Sequence, residues 1–350
     1  PLDCPICDQG GECDLQDQAY GYGFDRSRYG EDKRAKKDPD MGPLIKTVMT
    51  RCIQCTRCVR FSEEIAGVSC LGMLNRGEDA EITTFVEKAI DSELSGNLVD
   101  VCPVGALTNK PYAFTARPWE LRKTESIDVH DAVGANIRID ARGNEVMRVL
   151  PRLNEDVNEE WLADKSRYAI DGLKKARLDV PYIRDEQSGS LRSATWDDAL
   201  SKVAEKLSTT SSSKIAAMVG ALCDAESILA LKDLMLSLGV QNLDCRTDGT
   251  LFDVSKRCGY IMNSGISGIE DADAILLIGT NPRHEAPLVN ARIRKNWLAK
   301  RTKVALIGEQ KDLTYPYVYI GAGPDSLNAE HSFFETLKSA EKPMIIVGQG

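Results

Sequence analysis

Apolar residues beyond position 190 fall into short unbroken runs. Ile275-Leu-Leu-Ile278, Val304-Ala-Leu-Ile307 and Met344-Ile-Ile-Val347 are three of them, each followed by glycine, and Ile215-Ala-Ala-Met-Val219 is a fourth. Runs this short and this apolar read as strands buried on both faces. Helical stretches alternate with them. Thr195-Trp-Asp-Asp198 has capping-box form and opens a helix predicted to reach about Leu207. Ala225 to Leu238 reads as a second helix, closed by Gly239. Strand–helix alternation predicts an α/β domain with a parallel sheet over 181–350.

The rhythm differs upstream. Ser126-Ile-Asp-Val-His130 and Ile137-Arg-Ile-Asp140 alternate apolar with polar, as half-buried strands do. Ala141-Arg-Gly-Asn-Glu145 makes a turn and Val146-Met-Arg-Val149 returns, so 119–180 should hold a small β unit. Before residue 118 the pattern supports little beyond a helix near Val59–Ile65. Residues 25–46 read as a charged connector, in which Glu31 to Asp40 mixes both charge signs around Pro39, either as a solvated loop or as a contact with a partner subunit.

At 350 residues, two or three domains are expected. A net charge of −9 argues against a general nucleic-acid binder. There is no run of about 18 apolar residues, the length that spans a bilayer. The chain begins at Pro1 inside a cysteine motif and ends at Gly350 just after an apolar run, so a fragment is expected. Of eleven cysteines, seven stand in cluster-like motifs, which points to metal-bound thiolates in a reducing compartment rather than disulfides.

Cys52, Cys55 and Cys58 are spaced C-x2-C-x2-C, and Cys102-Pro103 follows after 43 intervening residues. Three close thiolates with a remote Cys-Pro are how bacterial-type ferredoxins hold a 4Fe–4S cube; in two-cluster forms the fourth Cys of each run serves the other cluster. Carried onto this chain, that crossing rule puts Ser62, Ser92, Ser95 and Leu98 where a second cube would need thiolates. One ligand set is complete and the other wholly missing, as in a two-cluster module that keeps one cluster. Zinc favours two separate C-x2-C knuckles and fits this spacing less well. Cys70 matches no ligand spacing and should be a small buried hydrophobe, while Cys223, Cys245 and Cys258 are dispersed. Arg51, Arg57 and Arg60 either counter thiolate charge or face water.

Cys4-x2-Cys7-x5-Cys13 supplies three more thiolates, with Gly10 and Gly11 giving the backbone freedom to wrap a metal core. Their fourth ligand lies upstream of Pro1 or is borrowed from elsewhere.

Pro1-Leu-Asp-Cys4-Pro-Ile-Cys7-Asp-Gln-Gly-Gly-Glu-Cys13-Asp-Leu-Gln resembles the one-histidine, three-cysteine cluster motif of the large iron–sulfur subunit of respiratory complex I, NADH–quinone oxidoreductase. Relatives in NAD-reducing hydrogenases and formate dehydrogenases share that motif. The resemblance implies a histidine immediately before Pro1; His130, His284 and His331 are remote in sequence. A neutral imidazole in place of a thiolate raises the cluster's potential. Leu98-Val-Asp-Val-Cys102-Pro-Val-Gly-Ala-Leu107 is similar to the family's return segment, with Pro103 stopping further helix.

The β unit resembles the cluster-bearing N-terminal unit of molybdopterin oxidoreductases. Asp128, Asp131, Ala135 and Ala163 fall where that unit carries cysteines, so the third cube of some bacterial relatives should be absent and His130 should be an ordinary satisfied histidine. Mitochondrial complex I subunits share that loss. Gly279-Thr-Asn-Pro-Arg283 matches the turn that contacts the pterin in molybdenum enzymes, and is expected to be a retained scaffold turn.

The resemblance thus implies an α+β ferredoxin-like Fe–S region followed by a small β unit and a truncated α/β molybdopterin-oxidoreductase-like domain. The divisions are 1–30, 31–118, 119–180 and 181–350. It implies a subunit passing single electrons from NADH and FMN toward ubiquinone through two 4Fe–4S clusters. Cys4, Cys7 and Cys13, with the upstream histidine, would hold one, and Cys52, Cys55, Cys58 and Cys102 the other. It implies no catalytic residue and no molybdopterin on this chain, and a 2Fe–2S cluster on a preceding part. Partners would be the flavin/NADH-binding subunit and the peripheral-arm Fe–S subunits, with no nucleic acid and no membrane span. The setting would be the matrix side of the mitochondrial inner membrane, or else the cytoplasmic face of a bacterial inner membrane. Two other readings remain: a molybdenum or tungsten oxidoreductase of formate dehydrogenase type, which the residues at 128–163 disfavour, and a zinc-ordered interaction scaffold.

Overall fold

A computed structural model describes residues 3–348, apart from 33–34, 186, 246–252 and 254. Pro1, Gly350, and Lys33 and Arg34 of the charged connector lie outside the described residues. The chain forms two compact units, Pro1–Ile170 with Met262–Gly350, and Asp171–Ile261.

The first unit opens with a 3-10 turn at Cys4–Ile6 and helix α1 (Asp14–Tyr22), which buries none of its residues. Strand β1 (Ile45–Thr47) pairs antiparallel with β4 (Leu107–Asn109), bracketing the ferredoxin-like region. Between them come α2 (Arg57–Arg60), the antiparallel pair β2 (Leu71–Leu74) and β3 (Glu81–Thr84), and α3 (Asn97–Val101). The helix expected near Val59–Ile65 starts slightly earlier and widens after Arg60 into a π-helix, Phe61–Ala66. It ends where Gly67 turns left-handed at φ +73° and donates to the Ser62 carbonyl. α3 stops at Cys102, which is already extended, because Pro103 follows.

Three antiparallel strands come next: β5 (Arg122–Ile127), β6 (Asn136–Arg142) and β7 (Glu145–Pro151). The β6–β7 turn uses Gly143 at φ +59°. Helix α4 (Asp164–Tyr168) buries Ser166 and Arg167.

The second unit holds a hairpin of β8 (Tyr182–Arg184) and β9 (Leu191–Ser193). Its helix α5 (Trp196–Thr209) is capped as the pattern predicts, Thr195 Oγ1 accepting from Asp198 N at 3.2 Å. Strand β10 (Ala217–Met218) is followed by α6 (Ala225–Ser237), capped by Asp224 and terminated beside Gly239 at φ +71°. Only two residues of the Ile215–Val219 run form strand, paired parallel with β11 (Leu243–Asp244). The run therefore does not join the larger parallel sheet. Its residues alternate half-buried with exposed, so just one side of it is covered.

The chain then returns to the first unit with β12 (Ala274–Ile278), α7 (Pro282–Glu285), α8 (Pro287–Lys300), β13 (Lys303–Ile307), β14 (Val318–Gly321), α9 (Ser332–Ser339) and β15 (Pro343–Val347). The sheet is wholly parallel in the order β14-β13-β12-β15. β14 escapes the sequence pattern because Val318-Tyr-Ile-Gly321 is an edge strand with two exposed residues. Strand β15 alternates, leaving Val347 69% exposed, so burial on both faces holds only for the central strands.

One apolar cluster runs through this unit, from Met41, Ile45 and Leu98 through Ile137 and Leu162 to Ile275, Ile293 and Leu306. Full burial of a side chain such as Ile293 contributes about 1.5–3 kcal/mol. That continuity fixes the cysteine segments against the β unit and the parallel sheet.

Candidate metal centres

The Cys52–Cys58 loop is folded tightly by two left-handed residues, Gln54 at φ +52° and Thr56 at φ +59°. The remote Cys102 is delivered from the end of α3. Cys52, Cys55, Cys58 and Cys102 then line one small cavity, with Met49, Ile53, Ile82, Pro103, Val104 and Leu107 among the rest of its wall. The donors are all sulfur and the surroundings are mostly apolar, which suits an iron–sulfur core. Gln54 N donates to Cys52 Sγ at 3.4 Å. Cys102 Sγ donates to the Val104 carbonyl at 3.0 Å.

Burial, with the neighbouring Cys102 and Cys52, pushes the Cys58 thiol up to about 12. Burial also raises Cys52 and Cys102. As free thiols these three are neutral at physiological pH, and a metal core must displace their protons to bind. Among the described residues no three His, Cys, Asp or Glu side chains are drawn together as around a single bound ion.

The first set is gripped differently. Cys7 is buried, Cys13 half-buried and Cys4 exposed. Arg117 donates to the carbonyls of Cys7 (2.6 Å) and Pro5 (2.9 Å). Arg51 Nε pairs with Asp3 at 3.0 Å. Arg148 holds Glu12 with two hydrogen bonds and Asp140 with a third. Gly11 sits at φ +89°, and a Cβ there would lie 2.5 Å from the Trp119 ring, so this turn requires glycine. Cys13 Sγ lies 3.6 Å from the Pro103 carbonyl oxygen. Two of the histidines within the chain are engaged elsewhere: His130 with Asp128 at 2.8 Å, and His331 Nδ1 accepting from Phe333 N at 3.1 Å.

The sequence pattern marks Arg51 as a possible charge counterweight. It does not mark Arg117, Arg148 or Glu12. The available signal is Arg148 inside the otherwise apolar Val146–Val149 return strand, an inward charge that needs a partner.

The places without ligand cysteines are packed. Ser62 Oγ donates to the Val68 carbonyl and lies 3.5 Å from buried Cys70. Ser95 donates to Asp164 at 2.6 Å, and Leu98 is 1% exposed. In the β unit, Ser166 donates to Asp128 at 2.5 Å and Lys165 pairs with Asp131 at 3.1 Å, while Ala135 and Ala163 are buried. Cys223, Cys245 and Cys258 are exposed.

Four family models match in succession. Residues 1–28 match an NADH-ubiquinone oxidoreductase-G iron-sulfur binding region, and 42–108 the ferredoxin-like domain of NADH-quinone oxidoreductase subunit 3. Residues 121–171 match the NADH-ubiquinone oxidoreductase NDSU1/NuoG-like 4Fe-4S domain, and 177–350 a molybdopterin oxidoreductase. A potato (Solanum tuberosum) protein named NADH dehydrogenase (ubiquinone) iron-sulfur protein 1, mitochondrial, is 56% identical over 354 residues, covering 100% of this chain and 48% of that protein. The NADH-ubiquinone oxidoreductase 78 kDa subunit, mitochondrial, of Neurospora crassa is 54% identical over 100% of this chain and 48% of its own length. An NADH-quinone oxidoreductase subunit of Rickettsia bellii is 53% identical over 100% of this chain and 52% of its own length.

This chain belongs to the iron–sulfur subunit family of NADH–ubiquinone oxidoreductase. It spans about half the length of the curated relatives it matches. As in that family, ferredoxin-like iron–sulfur domains precede a molybdopterin-oxidoreductase domain. The segment matching the family's 4Fe-4S domain at 121–171 nevertheless has no cysteine, since none occurs between Cys102 and Cys223. The Gly279–Arg283 turn is bonded internally: Glu285 accepts from Thr280 Oγ1 at 2.9 Å and from Asn281 N at 2.7 Å. Arg283 pairs with Glu93 (2.7 Å) and Asp312 (2.8 Å). Among the described residues no helix is long and apolar enough to cross a membrane.

Proposed function

We propose that this chain carries single electrons in an NADH:ubiquinone oxidoreductase, from NADH and FMN toward ubiquinone, on the matrix side of the mitochondrial inner membrane. The observation that carries the reading is the meeting of Cys52, Cys55, Cys58 and Cys102 around one apolar cavity. These four would hold one 4Fe–4S cluster. Cys4, Cys7 and Cys13, with a histidine preceding Pro1, would hold the other. The divisions 1–30, 31–118, 119–180 and 181–350 belong to the same proposal.

When bound, each cluster supplies a one-electron redox couple. The residues of the chain do the rest. Thiolates anchor the irons, and apolar neighbours such as Met49 and Ile82 keep water from the core. The backbone N–H of Gln54, which donates to Cys52 Sγ, tunes the electron density on that sulfur. Arg51, Arg117 and Arg148 place fixed positive charge along the Cys4–Cys13 loop. The Gly279–Arg283 turn, internally bonded through Glu285, acts as scaffold and binds no pterin. Partners are the flavin/NADH-binding subunit and the peripheral-arm Fe–S subunits.

Iron, sulfide and molybdenum analysis of the anaerobically purified protein tests the reading. Two cubes give about eight irons per chain, with no molybdenum. Cys102→Ser should abolish or alter one low-temperature EPR signal and leave the other. Zinc without the broad visible absorbance of iron–sulfur clusters would refute the proposal, and stoichiometric molybdenum would replace it with a molybdenum oxidoreductase.

A further inference from the structure

The return segment Cys102-Pro103-Val104-Gly105 touches both cysteine sets. Cys102 belongs to the second set. One residue on, the Pro103 carbonyl receives Cys13 Sγ at 3.6 Å. Two residues further, a Cβ built on Gly105 would lie 2.0 Å from Cys7 Sγ. No real Cβ tolerates that approach. The next nearest atoms, Gln9 Cβ at 3.2 Å and Arg51 Cδ at 3.7 Å, are far less restrictive. Gly105 is not among the residues with positive φ, so its backbone does not demand glycine. The sulfur does. Arg51 ties the same place from the other side: it directly precedes Cys52, its Nε bonds Asp3 beside Cys4 at 3.0 Å, and its Nη1 donates to the Gly105 carbonyl at 3.4 Å.

We infer that Gly105 is a positioning residue for the first cluster: its missing side chain is the seat of the Cys7 thiolate, making backbone 102–105 a wall common to both ligand sets. This rests on the two-cluster reading above. The wall gives a one-electron exchange a short path, along the covalent backbone from Cys102 to the Pro103 carbonyl and then across a 3.6 Å gap to the Cys13 sulfur. In that exchange one cluster is oxidised by one electron and the other reduced by one, and no bond forms or breaks.

The test is Gly105→Ala in the full-length subunit within its assembled complex, read by low-temperature EPR, Mössbauer spectroscopy and iron content. The expected result is loss or a marked g-value shift of the first cluster's signal with the Cys52/Cys55/Cys58/Cys102 signal retained. If that cluster is lost outright, iron content falls by about four per subunit. An unchanged first-cluster signal with full iron would overturn the inference. Should both signals disappear, Cys7→Ala with and without Gly105→Ala decides, because removing the sulfur opens the space the new methyl needs. Return of the second signal in the double variant supports the seat, and its continued absence overturns it. Wild-type protein lacking both iron–sulfur signals would instead defeat the two-cluster reading itself.

Discussion

Arg148 holds both carboxylate oxygens of Glu12, at 2.7 and 2.8 Å, across 136 positions of sequence. Its Nε reaches Asp140, also held by Arg138 at 2.8 Å, and its guanidinium lies 5.0 Å from the centre of the Tyr112 ring. The first cysteine loop is thereby fastened to β6 and β7. Arg148 is only 7% exposed, so Arg148→Ala removes the cation from half-buried Glu12 and one of the two arginines from buried Asp140, and should destabilise the fold by about 1–3 kcal/mol. Arg148→Lys keeps the charge but loses the fork, so it should restore only part of this. Denaturant unfolding measures both. The first-cluster signal should weaken before the second, and equal loss of the two would argue against a local role.

Lys165 pairs with Asp131, whose side chain is 4% exposed, at a position where a molybdopterin-type unit would carry cysteine. Lys165→Met should destabilise by about 1–3 kcal/mol by leaving a buried carboxylate without its cation. Adding Asp131→Asn should recover much of that, since a neutral pair avoids the stranded charge. Simple additivity of the two substitutions in a double-mutant cycle would show that the ion pair is not what fills the place.

Glu270 faces Arg292 and Lys295, with Lys295 Nζ at 2.9 Å. Burial opposes its ionisation, but hydrogen bonds from Lys295 and Arg292 outweigh it and hold Glu270 below the usual carboxylate range. The folded form is thus the weaker base, and the stabilisation is complete above the unfolded value near 4.5 and lost as pH falls through the lower folded value. The stability gap between wild type and Glu270→Gln should shrink as pH drops below about 4.5. A gap that stays constant from neutral to strongly acidic pH in urea titrations would contradict this.

Asn97 is fully buried and exchanges two hydrogen bonds with the Leu162 backbone, donating at 2.8 Å and accepting at 2.9 Å. Asn97→Ala leaves a buried N–H and C=O unpaired, and should lower stability by about 1–3 kcal/mol. An effect below about 0.5 kcal/mol would place this residue with ordinary surface substitutions.

Much of the candidate site is legible in the chain itself because it is local. C-x2-C-x2-C and Cys4-x2-Cys7-x5-Cys13 are spacings within tight loops, which limit the thiols that can face one core, whereas remote Cys102 is marked only by the proline after it. The caps at Thr195 and Asp224 are local too, and so are the glycines that follow the β12 and β13 runs. The strand pattern fails where burial is incomplete. The Ile215–Val219 run has one short partner, and β14 is an exposed edge.

What only the tertiary structure decided is which distant segments press against the cysteine loops. Nothing near Gly105 in sequence indicates that Cys7 rests on it, and nothing near Glu12 announces Arg148. Those contacts follow from one apolar cluster that packs the ferredoxin-like region against the β unit and the parallel sheet. Most of the candidate ligands are marked by short-range spacing. The wall, the clamps and the packing around Ser95, Asp128 and Asp131 arise from burial between residues far apart in the chain, where side-chain volume and charge pairing, not local order, set the outcome.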